Sequence, residues 1–165
     1  MMLRQIHTNP YQWPKPGRRK HRGTTMVEFS IVAGLFLLLM FAIIDLAMLG
    51  FINMTMQNAV REGTRYAITG RTDLDPESKG DRRKAVLNKI KQHSMGFYDQ
   101  VTEDGKVRVK DIDGNDYSGT MGAAGQIIVV SIDGSWSLMT PLIAPFFDKG
   151  QYDFTVSATM KNENY

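Results

Sequence analysis

From position 29 to position 52 the chain carries 24 residues with a single charge, Asp45. An α-helix of that length rises roughly 36 Å, more than the roughly 30 Å of a bilayer's hydrocarbon core, so the pattern predicts a membrane-spanning helix. A secretory signal fits less well. Its apolar region is usually about 7–15 residues, and no small-residue cleavage site followed by a change of composition is found after this run. Residues 53–69 contain no proline and place Met56, Val60, Gly63 and Ala67 at helical spacing, so the helix is predicted to continue beyond the membrane. Gly70 supplies a C-terminal stop, and Glu62 can pair with Arg65 or Asn58 on the solvated side.

The pattern then changes. Residues 71–81, RTDLDPESKGD, are turn chemistry, and residues 81–96 predict a second helix with Val86, Ile90, His93 and Phe97 on one face. Three strands follow. Residues 106–112 and 152–160 alternate, the latter with Phe154, Val156 and Ala158 on one face, while 126–132 is a fuller apolar run. The predicted class is α+β: a long N-terminal transmembrane helical spine carrying a small antiparallel-sheet head plus one further helix. Residues 135–147, SWSLMTPLIAPFF, are apolar for a connection, and serve either as a contact surface or as a segment folded back on the sheet.

Charge divides the chain differently. Six of the 20 Lys and Arg residues and none of the 17 Asp and Glu residues lie in positions 1–23, which leaves 14 bases against 17 acids from Thr24 onward, a formal charge of −3. The basic character of the whole chain therefore belongs to a leader, and nucleic-acid binding loses its electrostatic argument. That leader contains Pro10, Pro14, Pro16 and Gly17 and is expected to be extended. Lys15, Arg18, Arg19, Lys20 and Arg22 stand before the apolar run, against Arg61 and Arg65 offset by Glu62 after it. The positive-inside rule puts the N-terminus in the cytoplasm and the head outside. Arg18-Arg19 could open a twin-arginine signal, but nothing after it supports that. The domain reading is 1–23 leader, 24–70 spine and 71–165 head.

Candidate chemistry is sparse. The chain has no cysteine, which excludes disulfide staples, thiol catalysis and thiolate metal sites. His93 has no partner at a useful spacing. The string Asp111-Ile-Asp113-Gly-Asn-Asp116 offers calcium-like carboxylates without the glutamate that closes an EF-hand loop, and an Asp/Gly/Asn turn between strands explains the same letters. No serine-histidine-acid set or phosphate loop is visible, so no cofactor and no enzymatic activity are expected. Ala59, Gly63 and Ala67 form a small-xxx-small-xxx-small stripe, used either between subunits or to seat the helix on its own head. Asp45 stands as an assembly contact or as a snorkelling residue.

Residues 22–69 carry the strongest pattern: RGTTMVEFSIV, the apolar spine with its internal aspartate, and the exit NAVREGTRYA. They resemble the TadE-like family of minor pilins, or pseudopilins, of tight-adherence (Tad) pili, a branch of the type IV pilus-like machines. Members often have a proline early in the apolar segment, where this chain has Gly34. The resemblance implies cleavage between Gly23 and Thr24 by an inner-membrane prepilin peptidase, followed by participation in pilus assembly with other pilin subunits and the Tad machinery. It also implies that Glu28, fifth residue of the mature chain, neutralises the new ammonium of Thr24 on a neighbouring subunit or its own. Physical chemistry agrees, since glycine leaves the scissile bond unobstructed and a carboxylate at the membrane edge is costly unless paired. The competing reading is a permanently anchored single-pass envelope protein whose external head binds a ligand or acts as an enzyme. Cleavage separates the two.

Overall fold

A computed structural model describes residues 22–103, 106–138, 140 and 143–164. The expected leader lies outside the described residues except at its last two positions. The chain divides into two compact units, one ending at Phe36 and one beginning at Leu37. Helix α1, Arg22–Ala67, runs through both.

In the first unit α1 is helical from Arg22, and all the described side chains but Ala33, which is half-buried, are exposed. Ser30 donates its hydroxyl to the carbonyl of Met26, a local bond that leaves the apolar surface uncovered.

The second unit holds the core. From Leu37 onward α1 buries one face, beginning with Ala42, Asp45 and Leu49 and continuing through Ile52, Met56, Ala59, Val60 and Ala67. The i, i+3, i+7 spacing explains why only one side is covered. The helix ends at Ala67, three residues before the predicted stop. Residues 68–70 form a turn in which Gly70 adopts φ +68°, a left-handed conformation that glycine tolerates. Arg82 completes this end: its guanidinium donates to the Ala67 carbonyl from Nη2 at 2.6 Å and from Nε at 3.2 Å, and to the Gly122 carbonyl at 2.8 Å. A cation at a helix C-terminus satisfies carbonyls that have no partner within the helix and opposes the helix dipole favourably.

Helix α2, Arg82–His93, begins at the N-cap Asp81, whose carboxylate accepts from the Lys84 amide at 3.1 Å. It is shorter than the predicted 81–96 because Ser94 caps its end and Gly96, at φ +82°, turns the chain. Val86 and Ile90 are buried as the pattern predicts, together with Ala85 and Leu87. A short helix α3, Tyr98–Val101, was not predicted, so the head has two further helices and not one. A single turn is too short to carry a periodic signal.

The sheet is an antiparallel meander of β1 (Val107–Asp111), β2 (Ile127–Ser137) and β3 (Gln151–Lys161). Its registers pair Val109 with Val130 and Val130 with Ala158. Strand β2 runs five residues past the predicted 126–132, and its glycine explains why the signal faded. Gly134 pairs with Phe154, and a Cβ at Gly134 would stand 2.8 Å from the Phe154 ring. Val107, Val109, Ile128, Val130, Ile132, Phe154, Val156 and Ala158 are buried against the helices. The opposite face is wetted: Arg108 pairs with Asp133 at 2.7 Å, and Thr155 donates to the same carboxylate at 2.8 Å. At about 25 cal/mol per Å² of apolar area, each fully buried large side chain contributes about 1.5–3 kcal/mol to this core.

Candidate assembly surface

The first-unit residues singled out by the sequence are presented to the surroundings. Gly23, Thr24 and Glu28 are exposed, and among the described residues nothing lies within 4 Å of where a Gly23 Cβ would be. Thr24 and Glu28 stand four residues apart in α1, a spacing that puts two side chains on one face about 5–6 Å apart at Cβ. Met26, Val27, Phe29, Ile31, Val32, Leu35 and Phe36, all at least 60 % exposed, form the surrounding apolar surface. No water-soluble surface explains so dense a set. It calls for lipid or for other apolar helices.

Asp45 has a different fate. It is 4 % exposed and its Oδ2 accepts the backbone amide of Thr140 at 2.6 Å, a partner 95 positions away in sequence. The one charge of the apolar run is therefore bonded to the chain's own head. This also resolves the apolar stretch 135–147 into parts. Ser135, Trp136 and Ser137 finish β2, Thr140 folds back onto α1, and Phe146, in a 3-10 turn over Ala144–Phe146, points outward.

The small-residue stripe is likewise turned inward. Ala59 and Ala67 are completely buried and Gly63 is buried beside α2, where a Cβ would overlap Ile90 Cγ1 and stand 2.9 Å from its Cδ1. Ile90 is itself fully buried. The structure seats Ala59 and Ala67 in the chain's own core, and at Gly63 the Ile90 side chain of α2 fills the space beside the helix. Ile90 was not foreseen as the partner; its place on the apolar face of the predicted second helix is the signal that pointed to it.

The carboxylates of the head serve loops. Asp111 accepts the amides of Asp113 at 2.9 Å and Asn115 at 2.8 Å and the Asn115 side chain at 2.8 Å. With its hydrogen bonds to the Asn115 side chain and to backbone amides favouring the ionised form, Asp111 is held below the ordinary carboxylate range despite partial burial. Asp116 is held low in the same way by the Ser118 hydroxyl and amide. The 111–116 string is the turn between β1 and the Tyr117 amide, which donates back to the Val109 carbonyl at 2.7 Å. Asp75 orders the loop before α2 by accepting the amides of Asp81 at 3.0 Å, Glu77 at 3.1 Å and Lys79 at 2.8 Å, and these bonds lower its pKa. Among the described residues no group of three or more His, Cys, Asp or Glu side chains could hold a metal ion. His93 is half-buried. A surface groove of about 600 Å³ is lined by Lys106, Asp133, Gly134, Gln151, Asp153 and Thr155 among others, and its Asp133 is already held by Arg108 and Thr155.

The described fold is thus an α+β head on a helix long and apolar enough to cross a membrane, its most apolar stretch reaching a mean hydropathy of 2.7. Length and composition of that helix support a membrane-anchored, single-pass protein. Residues 23–65 match the TadE-like protein family, the family that the sequence motifs resemble, and the match takes in the spine and leaves the head uncovered. The match points to an association with Tad pili. Neither the curated proteins nor the solved structures contain a match to this chain.

Proposed function

We propose that this protein is a non-enzymatic minor pilin or pseudopilin, cut between Gly23 and Thr24 by a prepilin peptidase and used in Tad pilus assembly and surface adhesion. Before assembly it is held in the inner membrane with the N-terminus cytoplasmic and the head periplasmic. Its partners are the peptidase, inner-membrane lipid, other pilin subunits and the Tad machinery. The observation that carries this reading is that the TadE-like match, residues 23–65, falls on a helix whose first described turns expose almost every apolar side chain.

The chemistry follows from the geometry. A glycine has no side chain to hinder a peptidase at the Gly23 carbonyl. Hydrolysis frees the Thr24 amine, and Glu28 on the same helical face supplies a carboxylate for that ammonium or for the ammonium of an adjacent subunit. In a low-dielectric setting an unpaired charge costs several kcal/mol, so pairing favours entry of the helix into a filament of packed apolar helices. Asp45 does not join this exchange as an open contact, since the head already bonds it.

Replacing Gly23 by Leu tests the processing step. Gly23→Leu should leave a full-length precursor in the inner membrane, seen as a slower band on immunoblots and as absence of the protein from sheared filaments. A variant that still reached filaments at its mature size would overturn the assignment of Gly23.

A further inference from the structure

We infer that the head also contacts the membrane, through a shallow apolar wedge of Pro145 and Phe146 that sits in the interfacial layer of the leaflet from which the head emerges. The inference rests on the reading of α1 as the membrane span and adds a second, separate lipid contact to it.

The level of the wedge can be bracketed within the second unit. On α1 the exposed positions Leu37, Leu39, Phe41, Ile43, Ile44, Leu46 and Phe51 are all apolar, and the first polar side chains after Asp45 are Asn53 and Thr55. The apolar-to-polar boundary of the helix therefore falls between Ile52 and Asn53. Asp45 lies eight residues before Asn53, about 12 Å along the axis on the membrane side. The Thr140 amide is bonded to Asp45 at 2.6 Å, which ties the connection between β2 and β3 to that depth. On the other side Phe147 packs edge-on against Tyr152 at 5.9 Å. Tyr152 pairs with Trp136 across the sheet, and Trp136 meets Phe51 through Phe97 at 6.2 and 5.8 Å. The Glu163 amide donates to the Ile68 carbonyl and the Gln57 side chain to the Ser157 carbonyl, so β3 runs back along α1 from its end, and its first residue Gln151 with the turn Ala144–Phe146 before it lies toward the apolar side of the boundary.

At that level Phe146 is 83 % exposed and Pro145 is exposed beside it. Like Phe51 near the boundary of the helix, the Phe146 ring is an exposed aromatic with no polar cover of its own. After the half-buried Phe147 come the exposed Asp148 and Lys149, and their charges limit the depth. Such a pattern, an aromatic tip flanked by charges, fits insertion of about 5–10 Å at the boundary between headgroups and acyl chains, with Asp148 and Lys149 among the headgroups. Burying Asp45 against the head gives the connection its footing, because the one charge of the span is bonded where lipid cannot solvate it.

The absence of cysteine makes a direct test simple. Phe146→Cys, Leu39→Cys and Lys161→Cys, each made in the full chain, are spin-labelled and reconstituted in vesicles of phosphatidylethanolamine and phosphatidylglycerol. Collision with oxygen and with a water-soluble nickel chelate is then measured. Lys161 ends β3, near the Glu163 amide that bonds the Ile68 carbonyl beyond the helix end, and serves as the aqueous reference. The inference predicts that labels at 39 and 146 collide more with oxygen and the label at 161 more with nickel. A label at 146 that behaves like 161, while 39 stays lipid-exposed, overturns the wedge and leaves the span intact. Nickel access at 39 as well overturns the span and the wedge together.

Discussion

One helix serves two environments, and its halves differ in what covers them. Up to Phe36, α1 exposes nearly every apolar side chain; from Ala42 onward it buries a face at regular spacing against its own head, so that Met56, Ala59, Val60 and Ala67 are completely enclosed. Both halves are rich in small and aliphatic residues. What separates them is burial: the second packs a face into the core with α2 and the sheet, while the described apolar side chains of the first are exposed. An exposed apolar stretch on an otherwise well-buried fold marks contacts supplied from outside, while a small-residue stripe that its own chain already fills is spent on stability. The halves should therefore fail differently when mutated.

The largest expected effect is at Glu28. Glu28→Gln keeps size and hydrogen-bonding atoms but removes the charge partner of the Thr24 amine. It should be cut normally, accumulate in the inner membrane, and lower filament yield more than about tenfold, since about 1.4 kcal/mol already gives that factor. The melting temperature of the head should not move. Normal piliation would exclude charge pairing, and loss of cutting would transfer Glu28 to peptidase recognition.

Gly63→Leu should show the opposite profile. The added side chain must displace the fully buried Ile90, and overpacking of this kind costs about 1–3 kcal/mol, so the thermal midpoint of the full chain in detergent should fall by several degrees. Any assembly defect should follow from the weakened head and be relieved in part by Ile90→Ala, which makes room. An unchanged midpoint with lost assembly would return the stripe to the subunit interface.

A smaller effect comes from pH. Asp75 and Asp111 both have pKa values held below their ordinary 3.8 by hydrogen bonds that favour the carboxylate. Their unfolded forms bind protons at the higher pH, so their stabilisation is complete above about pH 4 and is lost as the pH falls through the depressed folded values. Thermal midpoints followed from pH 7 to pH 2 should be flat at first and drop at the acid end. Asp75→Asn should shrink that drop, and a decline beginning near pH 6 would point to other groups.

The sequence made the spine readable because length and periodicity are local properties: 24 nearly uncharged residues followed by a helical stripe need no knowledge of the fold. Strands β1 and β3 were readable for the same reason, with Phe154, Val156 and Ala158 on the buried face. The missing pieces depend on distant partners. Strand β2 continues through Asp133 and Gly134 because Arg108 and the Phe154 ring come from neighbouring strands to meet them. Asp45 could be seen as unusual, but its partner Thr140 follows 95 residues later, and no spacing rule connects them. The seat of Gly63 under Ile90 and the closing of α1 by Arg82 belong to the same class. Among the candidate site residues, Gly23, Thr24 and Glu28 are nominated by a contiguous motif, and their roles belong to the proposal.

The account stands most directly on the identity of the first residue of the mature protein. Intact-mass measurement and N-terminal sequencing of the protein from native membranes and from filaments should give a chain beginning at Thr24, short of the 23 residues that precede it. Filament-borne protein that still begins at Met1 would contradict the account.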